Sequence, residues 1–228
     1  MIDWQSYPML SHDPATLDPS ALRALIESRV LAAPHTESDN DWRYGPVSPE
    51  RRRHLRKFFP EQAVPAAVLV PIVEREQGLW VLLTQRASHL SHHPGQISFP
   101  GGRLEHPEED FVQAALRETE EEVGVSRDLI RVAGFLPDHF VVTGYRVTPV
   151  VGFVDPRFTP RVDPTEVADV FEVPLAFLLD ARNHVRRVRR FENQDIEFTD
   201  FPYEGRNIWG ATAGMLMTLC RMLRGEDT

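Results

Sequence analysis

The sequence predicts an α/β fold, a sandwich in which helices cover a mixed β-sheet. Short apolar runs rich in β-branched residues appear from residue 66 onwards, and amphipathic helical stripes lie between and after them. Hydrophobic residues make up 42% of the 228 residues, which is sufficient for one sizeable core. We therefore expect one main domain over residues 65–228, preceded by a helical segment and arm over residues 1–64.

The sequence of the N-terminal segment predicts an amphipathic helix and, after a linker, a second short helix. Asp18-Pro19 is a good N-cap and first-turn pair, and the apolar residues that follow recur at helical spacing, so we predict a helix over residues 19–32. Residues 34–49 are polar and turn-rich, as in a linker. Ser48-Pro49 favours the start of a second short helix, whose basic run over residues 51–57 we interpret as a solvated face.

The elements of the main domain follow from hydrophobic periodicity and turn residues in chain order. The predicted strands are residues 66–73, 79–86, 97–99, 129–136, 146–154 and 167–173, with a hairpin formed by residues 186–191 and 196–201. The predicted helices are residues 109–123, residues 175–179 and a last stripe from Trp209 to Leu223. Residues 137–145 are predicted to be a loop.

The helix at residues 109–123 carries an unusual cluster of negative charge. Glu118, Glu121 and Glu122 are spaced i, i+3 and i+4, which places all three carboxylates on one face. They lie in the last turns before Gly124, where the helix macrodipole is also negative, and like charges at this spacing repel. A solvated acidic face is the simple interpretation, whereas a bound Mg²⁺ or Mn²⁺ ion would compensate the repulsion.

Glycines lie upstream of this helix, at a position where the chain could approach an ion or a phosphate closely. Our first choice of metal ligands is Glu118 and Glu122, with Glu121 contributing to a second ion or to a metal-bound water. A backbone carbonyl of Gly101 or Gly102 would complete the coordination, because glycine tolerates both close contact and positive φ.

These residues carry a family resemblance. Arg117-Glu118, Glu121-Glu122 and Gly124-Val125 resemble the second half of the Nudix box of pyrophosphohydrolases. The first half departs from the common box, in which the glycine stands fourteen residues before the arginine, whereas Gly102 stands fifteen before it. Residues 82–102 resemble the signature of the coenzyme A pyrophosphatase branch, which has the same extra residue, although Ser91-His92 replaces a basic pair common there.

The resemblance implies an α/β/α Nudix fold and metal-dependent hydrolysis of a nucleoside diphosphate derivative. In the coenzyme A branch the products are 3′,5′-ADP and 4′-phosphopantetheine. Arg117 would orient a glutamate through an ion pair. Two carboxylates are candidates for the general base. One is Glu121, and the other is Glu166, in a later loop where many Nudix enzymes place a base.

Several residues are candidates to contact the substrate. Arg86 and His93 could bind phosphate, Gly101 and Gly102 could approach it closely, and Tyr145 could stack on adenine. The histidines of residues 89–93 have a spacing that suits zinc on a helix, but Pro94-Gly95 indicates a loop instead. Alternative substrates are ADP-ribose, NADH or a dinucleoside polyphosphate, and a Nudix-fold binding module without turnover is the alternative of another class.

The amino-acid composition narrows the classes of binding partner and the cellular compartment that we expect for this protein. The formal net charge of −9 disfavours binding to long nucleic acid, although a metal can invert the sign locally for a small anionic substrate. Cys220 is the single cysteine, which suits a reducing compartment, and there is no apolar run of membrane-spanning length or signal pattern. We expect a cytoplasmic protein with no membrane partner, and the resemblance adds a homodimer, in which residues 1–60 could take part.

Overall fold

The computed structural model describes residues 13–34, 63–91, 93–106, 108–141, 143–191 and 194–226. The predicted second helix with its basic run, and His92 within the histidine-rich loop, lie outside these residues. No helix of the described ranges combines the length and apolar character needed to cross a lipid bilayer.

The secondary structure follows the predicted order. The helices are α1 (Pro19–Arg29), α2 (Phe111–Val123), α3 (Leu175–Leu179) and α4 (Gly210–Arg224), with short 3-10 turns at Pro14–Thr16, Arg127–Leu129 and Ala181–Asn183. The first strands are β1 (Val64–Arg75), β2 (Gly78–Arg86), β3 (Ile97–Ser98), β4 (Gly101–Arg103), β5 (Ile130–Phe135) and β6 (His139–Val141). The later strands are β7 (Tyr145–Val154), β8 (Val167–Pro174), β9 (Val185–Phe191), β10 (Gln194–Tyr203) and β11 (Arg206–Ile208).

The main sheet is mixed, as predicted. Its central path is β3-β2-β1-β7-β5, with β4 paired to β1, β6 to β7 and β8 to β2. The long β1–β7 pairing is parallel, and the other pairings are antiparallel. Strands β9, β10 and β11 form a separate antiparallel sheet. Helices on both faces of the main sheet confirm the expected fold class.

Two hydrophobic cores lie on opposite faces of the main sheet. Along β1, Leu69 and Val73 point towards α2, whereas Val70 and Ile72 point towards the other core, as the period of two in a strand requires. The α2 core holds Ala114, Ala115, Leu116 and Val123 of that helix. The opposite core combines α1, α3 and α4 with buried residues of β10 and β11. Helix α2 is therefore the element that covers one face of the sheet. Its side chains that do not pack on the sheet can take part in a functional site.

Three short strands and one helix end differ from the sequence prediction. Strands β4, β6 and β11 have three residues each and were predicted as loop or left unassigned, because such short pairings are specified by a neighbouring strand and not by local preference. Helix α1 ends at Arg29, three residues early. Val30 is extended with ψ of 150°, and Leu31 forms an antiparallel bridge with Phe135.

Candidate active site

Helix α2 begins and ends with the residues that the sequence favours for caps. The Asp110 side chain accepts a hydrogen bond from the backbone N–H of Gln113 at 2.8 Å, and Gly124 ends the helix with φ of +72°. Between these caps, the buried stripe fixes the rotation of the helix. The acidic residues therefore lie along its border with β4, with Glu122 turned inwards and Glu121 outwards.

Two glycines of β4 allow this close approach. Gly101 has φ of +154°, and a Cβ there would overlap backbone and side-chain atoms of β1. Gly102 has an ordinary backbone, but a Cβ there would overlap the carboxylate of Glu118. The two adjacent glycines are thus needed for different reasons, one for conformation and one for space.

Arg117 binds several acidic side chains at once. Its Nε donates to Glu109 Oε1 at 3.0 Å, and its Nη1 donates to Glu118 Oε1 at 2.9 Å and Glu121 Oε2 at 3.3 Å. Nη2 donates to the backbone carbonyl of Arg103 in β4 at 3.1 Å. These charge-assisted bonds raise the pKa of Arg117, with the bond to Glu109 as the largest contribution. Arg117 therefore joins the helix to β4 and partly neutralises the acidic face.

Glu122 is the most buried acid of the cluster, with 4% of the residue exposed. Burial raises its pKa to about 8, and the nearby Glu118 charge acts in the same direction. Arg86 opposes this shift only weakly, because its Nη1 lies 3.9 Å from Glu122 Oε1. The backbone N–H of Gly101 donates to Glu122 Oε2 at 3.3 Å. Glu122 is consequently a buried carboxylate with too little positive charge around it.

Glu118 and Glu166 complete the acidic surface. Burial raises the pKa of Glu118, the bond from Arg117 lowers it, and the charges of Glu121 and Glu166 raise it again. The charge of Glu166 also raises the pKa of Glu122. The carbonyl of Glu166 accepts a hydrogen bond from Ala87 N–H at 2.8 Å. The fold thus brings this distant loop acid to the site, at the end of strand β2.

Arg86 stands at that same strand end. A register shift between Gln85 and Arg86 interrupts the pairing of β2 with β8, and such bulges redirect side chains. The buried Nε of Arg86 makes no hydrogen bond to any of the described residues. A cationic donor beside the carboxylates is thus available to an anionic ligand.

Comparison with known proteins identifies the family. The family model described as NUDIX domain matches residues 63–201, which is more than half of the chain. The chain belongs to the Nudix family. It is therefore a Nudix hydrolase, an enzyme of a family that acts on nucleoside diphosphate derivatives and generally needs a divalent metal such as Mg²⁺ or Mn²⁺.

Curated Nudix relatives share nearly half of the aligned residues. Over 156 residues the chain is 42% identical to "Uncharacterized Nudix hydrolase NudL" of Enterobacter sp. (strain 638) and 45% identical to the protein of that name from Escherichia coli O1:K1 / APEC. Each alignment covers 68% of this chain and 80% of the relative.

Solved Nudix structures have lower identity. A C. elegans Ap4A hydrolase, solved as a binary complex, is 23% identical with a TM-score of 0.43, over 48% of this chain and 80% of that one. A MutT/nudix family protein from Enterococcus faecalis is 16% identical with a TM-score of 0.44, over 76% of this chain and 68% of that one.

Two predicted substrate contacts of this Nudix chain lie apart from the carboxylates. His93 is exposed in the turn before β3, with φ of +54°, and its carbonyl accepts a hydrogen bond from Gln96 N–H. Tyr145 begins β7 and packs against the core on the face opposite α2. Their roles as phosphate and adenine contacts stay predictions. His89 binds the backbone instead, with Nε2 3.1 Å from the carbonyl of Thr165.

Two acids have roles that the sequence did not reveal. Glu109 stands before the first turn of α2, where a negative charge is favourable by itself, yet it is the nearest acid to Arg117 Nε and also accepts from Glu105 N–H at 2.7 Å. Asp163 was not singled out, although it organises the loop that carries Glu166. The eight-residue separation of Glu109 and Arg117 crosses a helix N-terminus, so helical spacing rules do not predict their contact.

The Nudix carboxylates fit a divalent cation by chemistry, although they do not form a ready-made cage. Among the described residues no group of three or more His, Cys, Asp or Glu converges in metal-binding geometry. Arg117 holds Glu118 and Glu121, while Glu122 faces Gly101 N–H. Carboxylate oxygens with burial-raised pKa values are nevertheless suitable donors for a hard cation, which would replace the missing positive charge. Cation binding must then compete with Arg117.

Proposed function

We propose that this Nudix hydrolase cleaves the diphosphate bond of coenzyme A and its thioesters, giving 3′,5′-ADP and 4′-phosphopantetheine from coenzyme A itself. The observation that carries the choice is the segment of residues 82–102, which resembles the coenzyme A branch and shares its extra residue before Arg117. Cleavage of the diphosphate is supported independently by the buried, undercompensated carboxylates beside β4.

In this proposal the acids of α2 have distinct roles. Glu118, Glu122 and Glu121, with the backbone of Gly102, would hold Mg²⁺ or Mn²⁺, which offsets charge on the diphosphate and lowers the pKa of water. Arg117 sets the positions of Glu118 and Glu121 through the bonds at 2.9 and 3.3 Å. The acids therefore start from a defined geometry before any ligand arrives.

A carboxylate must take the proton from the attacking water. Glu121 is partly engaged by Arg117, whereas the Glu166 side chain makes no hydrogen bond or ion pair with the described residues. The charge of Glu166 also raises the pKa values of Glu118 and Glu122, the proposed metal ligands. We therefore assign Glu166 as the general base, and Glu121 stands as the alternative.

Cationic donors would bind the phosphates. Arg86, whose guanidinium is partly exposed and has its Nη1 3.9 Å from Glu122 Oε1, is the contact best placed for the diphosphate. The backbone of Gly101 and Gly102 is the further proposed phosphate contact, because glycine permits close approach of the main chain to a ligand. His93 and Tyr145 complete the proposed contacts, to phosphate and adenine respectively.

The test is hydrolysis in ¹⁸O-labelled water, followed by mass spectrometry of the products. Coenzyme A, dephospho-coenzyme A, ADP-ribose, NADH and a dinucleoside polyphosphate are compared with Mg²⁺, with Mn²⁺ and with chelator. We expect metal-dependent 3′,5′-ADP from coenzyme A, with coenzyme A preferred over dephospho-coenzyme A because an unpaired 3′-phosphate site penalises the shorter ligand. Preference for ADP-ribose or NADH would refute the coenzyme A assignment and keep diphosphate hydrolysis. Binding without any product would favour the non-catalytic module.

A further inference from the structure

The loop between β7 and β8 is tied to the C-terminal end of helix α2. Arg161 N–H donates to the carbonyl of Val123 at 2.7 Å, and Asp163 N–H donates to the carbonyl of Glu122 at 3.1 Å. The last carbonyls of a helix have no partner within the helix, so the loop satisfies two of them. The position of the loop is therefore fixed relative to the acidic face of α2.

Asp163 then organises the turn that ends in Glu166. Its Oδ1 accepts hydrogen bonds from Thr165 N–H at 2.8 Å and from Thr165 Oγ1 at 2.7 Å. Its backbone carbonyl accepts from Glu166 N–H at 3.1 Å and from Val167 N–H at 2.9 Å. An aspartate that binds the backbone two residues ahead stabilises a tight turn.

The other side of the turn is held by strand β2 and the loop after it. Ala87 N–H donates to the carbonyl of Glu166 at 2.8 Å, and His89 Nε2 lies 3.1 Å from the carbonyl of Thr165. The turn is thus fixed between the end of α2, which carries Glu122, and the end of β2, which carries Arg86. Both of those residues belong to the candidate active site.

Electrostatics oppose the place that Glu166 occupies. The turn that ends in Glu166 is hydrogen-bonded to the end of α2, which carries Glu118 and Glu122, and carboxylates gathered in this way repel one another. A carboxylate on a loose loop would turn away into water. The backbone must therefore hold Glu166 in place, and the hydrogen bonds of the turn are the described interactions that can do so.

We propose that Asp163 is a positioning residue for Glu166, holding the loop carboxylate against the acidic face of α2 during hydrolysis. This inference rests on the proposed diphosphate hydrolysis and on Glu166 as its base. Asp163 itself touches neither substrate nor metal. It acts through the turn, so its effect on the rate should vanish when Glu166 is already disabled.

The first experiment is a double-mutant cycle on the metal-loaded enzyme with the substrate that it turns over fastest. Asp163→Ala should lower kcat about 10- to 100-fold with little change in KM, as a small misplacement of a catalytic group does. Asp163→Asn should restore most of kcat, because its Oδ1 accepts the same two hydrogen bonds. In a Glu166→Gln background, Asp163→Ala should cause no further loss. Equal losses in both backgrounds, or an Asn variant as poor as the Ala variant, would overturn the proposal.

Asp155→Ala is the matched control. Asp155 lies in the same loop and binds the N–H of Arg157 at 2.9 Å, the same kind of local turn, but it is remote from Glu166 in the hydrogen-bond network. Its loss should change kcat by less than the loss of Asp163. A comparable loss of kcat would show that any disturbance of this loop suffices, and would refute a specific role of Asp163.

The second experiment needs no substrate, so it separates this inference from the proposed function. Amide hydrogen exchange of Ala87, Glu166 and Val167 reports the bonds that close the turn. Exchange should accelerate in Asp163→Ala and stay near the wild-type rate in Asp163→Asn and Asp155→Ala. Unchanged exchange in Asp163→Ala would overturn the positioning role even if hydrolysis is confirmed. Faster exchange in an enzyme that cleaves none of the diphosphates would support the turn and refute the assigned reaction.

Discussion

The two faces of the main sheet both bury titratable groups, but they treat them differently. Towards α4, Cys220 is fully buried, donates its Sγ–H to the carbonyl of Leu178 at 3.3 Å and has its pKa raised by burial to about 12. On that face the ring of His139 packs against Gly214, although part of the residue is accessible, and burial lowers its pKa to about 4. Towards α2, burial raises the pKa of Glu122 to about 8.

The two faces differ in whether the charges of their buried groups are compensated. Cys220 and His139 become neutral at pH 7, and a neutral thiol or imidazole is stable in an apolar core. Glu122 titrates near neutral pH and shares its surroundings with Glu118 and Glu166. Burial alone therefore does not indicate a functional site. Burial of several like charges with too little counter-charge around them does, because a cationic ligand would lower their free energy.

The largest expected effect is at Glu122. Glu122→Gln removes the most buried carboxylate of the site at nearly constant side-chain volume. The loss of a group that only hydrogen-bonds to a metal ligand costs up to about 100-fold in activity. Because Glu122 is a proposed ligand itself, kcat for the metal-dependent reaction should fall at least about 100-fold. The fold should remain intact. Steady-state kinetics, with circular dichroism to monitor folding, would measure both.

The matched variant for that test is Glu120→Gln on the same helix. Glu120 is half exposed and pairs with Arg127 at 2.9 Å, away from the site. It should retain near-wild-type turnover. Near-full activity in Glu122→Gln would show that Glu122 is not a metal ligand. The functional distinction between the two faces of the sheet would then fail.

A smaller effect is expected from Gly102→Ala. The added Cβ would overlap the Glu118 carboxylate, so kcat should fall about tenfold or more, and overpacking should reduce the free energy of unfolding by about 1–3 kcal/mol. Gly205→Ala is the comparison, because its Cβ meets no atom within 4 Å and only its φ of +76° is strained. Loss of stability without loss of rate in Gly102→Ala would contradict the close contact with Glu118.

The pH dependence of stability should differ with and without metal. Because the folded pKa of Glu122 is raised from 4.5 to about 8, its protonated form stabilises the metal-free fold at low pH, and this stability is lost as pH rises from about 4.5 through 8. Mg²⁺ should therefore raise Tm more at pH 8.5 than at pH 5. The gain approaches about 2.7 kcal/mol when the ion is at a hundredfold excess over its Kd.

Thermal unfolding across this pH range would test the expectation, and Glu122→Gln serves as control. That variant should lose both the decline of stability with pH and most of the Mg²⁺ effect. An equal Mg²⁺ shift at the two pH values would argue against Glu122 as the group that links protonation to the cation.

The smallest effect on function is expected on the α4 face. Cys220→Ala should lower the free energy of unfolding by about 1–2 kcal/mol through lost packing, with kcat and KM unchanged. Chemical denaturation and steady-state kinetics would test it. A change of kcat would show that the two faces are coupled, and the contrast between them would then need revision.

The sequence predicted the elements with strong periodicity and missed those specified from a distance. The buried stripe of α2 and the cap at Gly124 predicted the helix end, whereas spacing alone did not predict that Glu122 is buried while Glu121 is exposed. The contact of Arg117 with Glu109 depends on how the chain enters α2, which no local pattern encodes. Strand β4 exists because Gly101 and Gly102 pair with β1, whereas glycine by itself disfavours strands.

Glu166 shows how far sequence reasoning extends towards the site. The family resemblance placed a base in its loop, but nothing local to residues 155–166 predicts a meeting with α2. That proximity arises from hydrogen bonds to Glu122 and Ala87, which are far apart in sequence. Tyr145 is partly buried against the α4-side core, and its role as an adenine contact stays a prediction.

The bridge between Leu31 and Phe135 also bears on the order of folding. It joins residues 104 positions apart, as does the ion pair of Arg131 with Glu27, so the docking of α1 requires a long loop to close. The hairpin of β1 and β2 needs only local contacts. We expect α1 to join the core late, after the sheet has formed, and pulse-labelled hydrogen exchange during refolding should find its amides protected last. On the ribosome α1 would therefore emerge well before β5, the strand whose last residue bridges to Leu31, has been synthesised.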